Sequence, residues 1–171
     1  VELTREIARR FNHLYGEVFP VPDVLLTPTS KLLGIDRRKM SKSYGNAKFL
    51  TDTDEKIDAK VAQKITDPQR ARKSDPGDPT ICNVFSFHEI YSDNETTESI
   101  RSECPSARIG CVDCKRKMAS ALKIGLEPIR AKRKELESDT EGVKEIMAEG
   151  NKKSRAIARQ TMEEVREAVK I

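Results

Sequence analysis

Apolar residues at Leu3, Ile7, Phe11, Leu14 and Val18 recur at helical steps and predict an amphipathic helix over residues 2–19. Pro20, Pro22 and Pro28 interrupt any continuation, and Val24–Leu26 is short and apolar enough for a strand. Residues 34–48 form a polar, basic, glycine-containing loop. Asp52 with Glu55 three positions on predicts a capping box, and Ile57, Val61 and Ile65 give the helix behind it a buried face. Prolines 68, 76 and 79 with Gly77 make 66–80 a loop. Helical periodicity resumes near Lys115, with Pro128 as a break or a first-turn residue. Ser138 and Glu141 predict a second capping box, leading into a last amphipathic helix that contains Ile157, Val165 and Val169. The pattern is mostly α and shows no internal repeat.

Composition limits the core. Of 171 residues, 36% are hydrophobic and 35% charged, which allows one modest core. The net charge of +4 says less than its distribution. Residues 115–134 carry eight basic side chains against Glu127 alone, and 31–48 carry six (Lys31 and Lys48 among them) against Asp36. Two basic segments in a nearly balanced chain suggest polyanion contacts, although a solvated helix face fits the charge equally well. No apolar run reaches membrane-span length, which argues against a membrane partner. The four cysteines all fall within residues 82–114; in a reducing cytoplasm such clustering indicates metal ligation rather than disulfides.

The pentapeptide Lys39-Met40-Ser41-Lys42-Ser43 suits a specific chemistry. When a carboxylate attacks the α-phosphate of ATP, charge builds on the departing pyrophosphate. Ammonium groups on a flexible loop can meet that charge in the transition state. Lysine, a compact charge on a flexible stem, suits a loop that must move; Ser41 and Ser43 add hydroxyl donors, and Gly45 adds backbone freedom. A bare stretch of this kind is also compatible with an arbitrary basic loop. The longer run RRKMSKSYGNAKFL resembles the second signature of class I aminoacyl-tRNA synthetases, and Tyr44-Gly45-Asn46 is similar to their tryptophan and tyrosine branch.

Physically, the segment from Thr66-Asp67-Pro68-Gln69-Arg70 to Asp75-Pro76-Gly77-Asp78-Pro79 implies a rigid turn, by default on the surface. As a pattern it resembles the loop that comes after KMSKS in tryptophan–tRNA ligases. Glu2-Leu3-Thr4-Arg5-Glu6 and Ser154-Arg155-Ala156-Ile157-Ala158 extend the resemblance over the chain. It implies ATP binding through Lys39, Met40, Ser41, Lys42 and Ser43, with Lys39 and Lys42 catalytic, and ATP with Mg²⁺, tryptophan and tRNA(Trp) as ligands of a cytoplasmic, homodimeric whole enzyme. The family's H-I-G-H motif does not occur in these residues. His13 and His88 belong to no such pattern and read as surface or packing residues. These residues are therefore expected to be the C-terminal part of such an enzyme and inactive by themselves.

Cys82, Cys104, Cys111 and Cys114 are separated by 21, 6 and 2 residues. A C-x₂-C pair places two thiolates on one turn, and two more upstream complete a soft donor set for zinc or an iron–sulfur cluster; spacing alone does not choose between them. The arrangement resembles the motif that holds a 4Fe–4S cluster in some bacterial tryptophan–tRNA ligases, one residue shorter in the long gap. That resemblance favours the cluster, with zinc second, and places Lys115, Arg116 and Lys117 against tRNA. The expected architecture is a Rossmann-like catalytic remnant over 1–50 carrying the KMSKS loop. A helical anticodon-binding domain with a Cys₄ site would occupy 51–171. A non-catalytic tRNA-binding module with a structural metal is the alternative.

Overall fold

The computed structural model describes residues 1–27, 29, 32–47 and 50–171. Pro28, Lys31 and Lys48 lie outside the described residues. Six helices account for most of the described chain: α1 (Glu2–Tyr15), α2 (Asp54–Ala62), α3 (Phe85–Tyr91), α4 (Asn94–Glu103), α5 (Cys111–Ser138) and α6 (Thr140–Val169). Among the described residues there is no strand; the sole bridge pairs Leu33 with Lys39. The expectation of a mostly α chain holds, whereas Val24–Leu26 forms no strand among the described residues. Strand propensity without a neighbouring edge leaves the peptide groups with nothing to bond.

The chain forms two compact units, Thr29–Lys134 and Val1–Pro28 with Glu135–Ile171. In the first, Ile57 and Val61 of α2, Phe85 and Phe87 of α3 and Ile100 of α4 are buried. They share one cluster with Cys114, Met118, Ala119, Leu122 and Leu126, a single stripe along α5. Ile65 is 44% exposed because α2 stops at Ala62, three residues before the predicted face would have included it.

Neither predicted capping box forms; in each case the N-cap falls one residue later. Thr53 caps α2, accepting from the Lys56 amide at 3.4 Å, while Asp52 turns inward to Lys60 at 2.6 Å. Asp139 caps α6 through the Gly142 amide, and Ser138 instead donates to the Glu135 carbonyl at 2.6 Å. In each case a neighbouring side chain able to cap takes the position.

Pro128 neither breaks nor begins a helix; it lies inside the 28 residues of α5. Proline removes one helical donor and crowds the carbonyl four residues earlier. Close to that defect, the Arg130 guanidinium donates to the Lys123 carbonyl at 3.2 Å and to Asp54 at 2.7 Å, which supplies a donor to the disturbed turn.

In the second unit, α1 ends at Tyr15 and Asn12 organises the turn beyond it. Its Oδ1 accepts from the amides of Val18 and Phe19, and its Nδ2 donates to the Phe19 carbonyl at 2.7 Å. Phe11 packs on Tyr15 and Phe19. The predicted stripe is helical but open: Leu3, Ile7 and Leu14 are all exposed. No residue of α6 is buried, Ile157 included.

Burial therefore separates two isoleucines of the first unit. Ile57→Ala is expected to cost about 2–5 kcal/mol by leaving a cavity. Ile124→Ala, at a position 75% exposed on α5, should change stability by less than about 0.5 kcal/mol. Urea denaturation of the two variants checks the contrast.

Candidate functional site

The lysine loop is pinned through its backbone. Gly34 N–H donates to the Arg38 carbonyl at 2.8 Å, and Met40 N–H to the Leu32 carbonyl at 3.2 Å, closing a short two-ended ribbon. Asn46, 2% exposed, bonds three parts of it. Its Oδ1 accepts from the Ser41 amide at 2.8 Å, while its Nδ2 donates to Asp36 at 2.8 Å and to the Lys39 carbonyl at 3.3 Å. A Cβ on Gly34 would lie 2.5 Å from the Asn46 amide, so this close approach requires glycine. Hydrogen bonds from Asn46 and Arg38 hold the Asp36 carboxyl below its ordinary value.

The side chains that carry the predicted chemistry are left at the surface. Lys39 and Lys42 are exposed, and among the described residues neither ammonium has a partner. Ser41 and Ser43 hydroxyls bond each other at 2.8 Å beside a 3₁₀ turn over Lys42–Tyr44. Met40 is half-buried and packs against the core, so it anchors the loop from below. The result is two unneutralised cations on a fixed backbone, open to an anionic ligand.

The proline-rich segment is folded over the cysteines. Asp67, 5% exposed, accepts from the Gln69 and Asp78 amides, both at 2.8 Å. Arg70, 8% exposed, donates to the carbonyls of Lys73 and Ile109, both at 2.8 Å, and points a second nitrogen at Cys104 Sγ, 3.6 Å away. Gly77 N–H donates to the Cys104 carbonyl, and a Cβ there would lie 2.7 Å from Cys104 Sγ. The default of a surface turn is therefore corrected for Asp67 and Arg70, which are buried.

None of the four cysteines is in a disulfide. Burial is the largest influence on Cys104 and raises its pKa, which Arg70 opposes. Burial and then the neighbouring thiols push Cys114 up to about 12. His88 is fully buried, as a packing histidine should be, with Nδ1 2.7 Å from Ser92 Oγ and Nε2 3.1 Å from the Cys114 carbonyl. Its pKa is lowered by burial. Among the described residues no three His, Cys, Asp or Glu side chains are gathered as a metal-ion site. A single zinc with bonds of about 2.3 Å would draw four thiolates to within about 3.8 Å of one another.

The three basic residues after Cys114 are not equivalent. Lys115 Nζ donates to the Ala62 carbonyl at 2.6 Å and Arg116 pairs with Asp113 at 3.0 Å. Lys117 is exposed without an ion pair among the described residues. Arg116 and Lys117 line an open cavity of about 630 Å³ that Tyr91 also lines.

A family profile described as tRNA synthetases class I (W and Y) matches residues 1–127. The chain belongs to that family. It is 51% identical to the tryptophan–tRNA ligase of Aquifex aeolicus over its whole length, covering 44% of that protein. It is 44% identical to that of Thermotoga maritima, covering 52%. A crystal structure of tryptophanyl-tRNA synthetase from Campylobacter jejuni, complexed with ADP and tryptophan, superposes with a TM-score of 0.77 at 25% identity, over 99% of this chain and 53% of that one. The chain thus spans about half the length of the relatives it matches. No helix among the described residues is long and apolar enough to cross a membrane.

The cysteine region generates two expected outcomes. Arg70→Met is expected to cost about 2–3 kcal/mol in a urea melt, because it removes a charged donor from the buried Ile109 carbonyl and from the Lys73 carbonyl. For Cys114 in metal-free protein, the folded pKa of about 12 lies above the ordinary 9.0. Folding stability is then fully present below pH 9 and declines as pH rises towards 12. Melting temperature against pH, together with iodoacetamide labelling in which Cys114 reacts last, checks this.

Proposed function

We propose that the whole protein is a tryptophan–tRNA ligase, which activates tryptophan with ATP and Mg²⁺ and transfers it to tRNA(Trp). Lys39 and Lys42 carry the proposal: two exposed ammonium groups, without a partner among the described residues, on a loop whose backbone is held by Asn46. They stabilise charge on the departing pyrophosphate, and Ser41 and Ser43 supply hydroxyl donors to the phosphates. Backbone preorganisation lowers the reorganisation needed at the moment of reaction. Tryptophan as the amino acid is supported by the names of the relatives at 51% and 44% identity. Residues 1–50 would be the end of a Rossmann-like catalytic domain and 51–171 a helical anticodon-binding domain. The whole enzyme would be a cytoplasmic homodimer, and residues 1–171 without a H-I-G-H motif would not activate tryptophan.

Cys82, Cys104, Cys111 and Cys114 would hold a 4Fe–4S cluster, with zinc as the second choice. Cys104 and Cys114 each lie near enough to other cysteines to be influenced by them, and Arg70 stands 3.6 Å from Cys104 Sγ; both support a soft, multi-thiolate ligand. When bound, such a group cross-links the segments around it and adds folding energy. Lys117, with Arg116 and Lys115 beside it, would meet the tRNA backbone.

The deciding experiment is tryptophan-dependent ATP–pyrophosphate exchange by the full-length protein. Lys42→Ala is expected to lower kcat by about 10²–10³-fold with little change in KM for tryptophan. Absence of tryptophan-dependent exchange in the unaltered protein would sink the assignment. Binding of tRNA should weaken steeply with salt. Lys117→Ala should reduce the magnitude of the log–log salt slope by about 1, and Lys115→Ala by less, since its ammonium is already engaged.

A further inference from the structure

Lys64 lies just past α2, 1% exposed, although lysine is rarely buried to that degree. Its ammonium donates to the Leu33 carbonyl at 3.1 Å and reaches the Gly34 carbonyl at 3.5 Å. It sits 3.7 Å from the centroid of the Phe87 ring. Asn83, 2% exposed, donates from Nδ2 to the same Gly34 carbonyl at 2.7 Å. Among the described residues its Oδ1 is buried without a partner, so the hydrogen bond to Gly34 alone orients this amide. Two residues away, the Ile81 carbonyl accepts from the Arg37 guanidinium at 3.1 Å.

These contacts meet at one place. Leu33 and Gly34 are the root of the lysine loop: Leu33 bridges Lys39, and Gly34 N–H holds the Arg38 carbonyl. A shift of the Gly34 peptide therefore moves the backbone that carries Lys39. An apolar residue at position 64 would fill the space but leave two carbonyls with fewer donors.

Resting on the synthetase assignment, we propose that Lys64 and Asn83 are positioning residues for phosphate handling. They fix the root of the lysine loop to the segment that carries Cys82, and so set where Lys39 and Lys42 stand when charge develops. Neither touches the nucleotide; both act through the carbonyls of residues 33 and 34.

The test uses the full-length protein with Lys64→Met, Asn83→Leu and Arg37→Met. Hydrogen exchange is monitored at the amides of Gly34, Ile35 and Met40, with α5 as the internal reference. Lys64→Met and Asn83→Leu should speed exchange in the loop by about tenfold or more while α5 stays within about twofold. In the same variants kcat for tryptophan-dependent exchange should fall by about 10- to 100-fold, with KM for tryptophan within about twofold. Lys64→Arg, which keeps a charged donor, should restore most of both losses. Equal loss of protection in the loop and in α5, or an unchanged kcat with a loosened loop, would overturn the proposal. Should the buried variants fail to fold, Arg37→Met, at a partly exposed anchor, must still raise loop exchange roughly threefold. An unaltered protein with no tryptophan-dependent exchange would refute the synthetase assignment instead, and the hydrogen-exchange comparison would still decide whether these residues hold the loop.

Discussion

A peptide group that leaves a helix or sheet must still find a hydrogen-bond partner once it is buried, and this constraint organises the chain between α2 and α5 and the lysine loop ahead of it. The described residues contain no strand, so the segments around 32–47 and 66–84 have no ladder to close. Buried polar side chains take its place. Asn46 serves Ser41 and Lys39, Asp67 serves Gln69 and Asp78, Arg70 serves Lys73 and Ile109, and Lys64 with Asn83 serves Leu33 and Gly34. Each of the five is at most 8% exposed. Truncating any of them removes a donor or acceptor from a buried or part-buried peptide group, which is costlier than losing an equal apolar contact at the surface.

The same constraint explains how a loop can be both ordered and chemically available. The backbone of residues 33–46 is tied down from inside, while Lys39 and Lys42 project outward without partners among the described residues. A salt bridge on either lysine would have to be broken before an anionic ligand could be met. Leaving them unpaired costs little at an exposed position, since such pairs contribute about 0–1 kcal/mol. Rigidity of the peptide and freedom of the ammonium groups are thus assigned to different atoms of the same residues.

Features encoded in local sequence were legible. The KMSKS run, the cysteine spacing, the proline-punctuated loop and the helical periods all declare themselves over a few residues. Departures occur where a tertiary partner decides. Asp52 is a good cap by type, but Lys60 claims its carboxylate and Thr53 caps instead. Pro128 signals a break, yet α5 continues through it with Arg130 beside the disturbed turn. Arg70 and Lys64 count only as positive charges in a sequence, and Asn83 as an ordinary polar residue after a cysteine. Their roles depend on carbonyls 31 to 49 residues away, a separation that no local pattern reports. The stripe of α1 illustrates the converse: periodicity predicts the helix, which ends at Tyr15 rather than at 19, but cannot say that Leu3, Ile7 and Leu14 are exposed in this chain.

Arg70 shows why one residue type is needed where two demands coincide. Two of its nitrogens take the Lys73 and Ile109 carbonyls together with Cys104 Sγ, a set spread across a plane. A guanidinium reaches all three from one rigid fork, whereas an ammonium of similar reach has donors on a single atom. The Ile109 carbonyl lies two residues before Cys111, so Arg70 braces the turn between Cys104 and Cys111 whether or not the thiols hold a ligand. Its charge also opposes the burial that raises the Cys104 pKa, favouring the thiolate that any soft ligand requires. The proline-rich loop therefore brings a fixed cation against the cysteines, and the glycine at position 77 permits the approach because any side chain there would collide with the Cys104 sulfur.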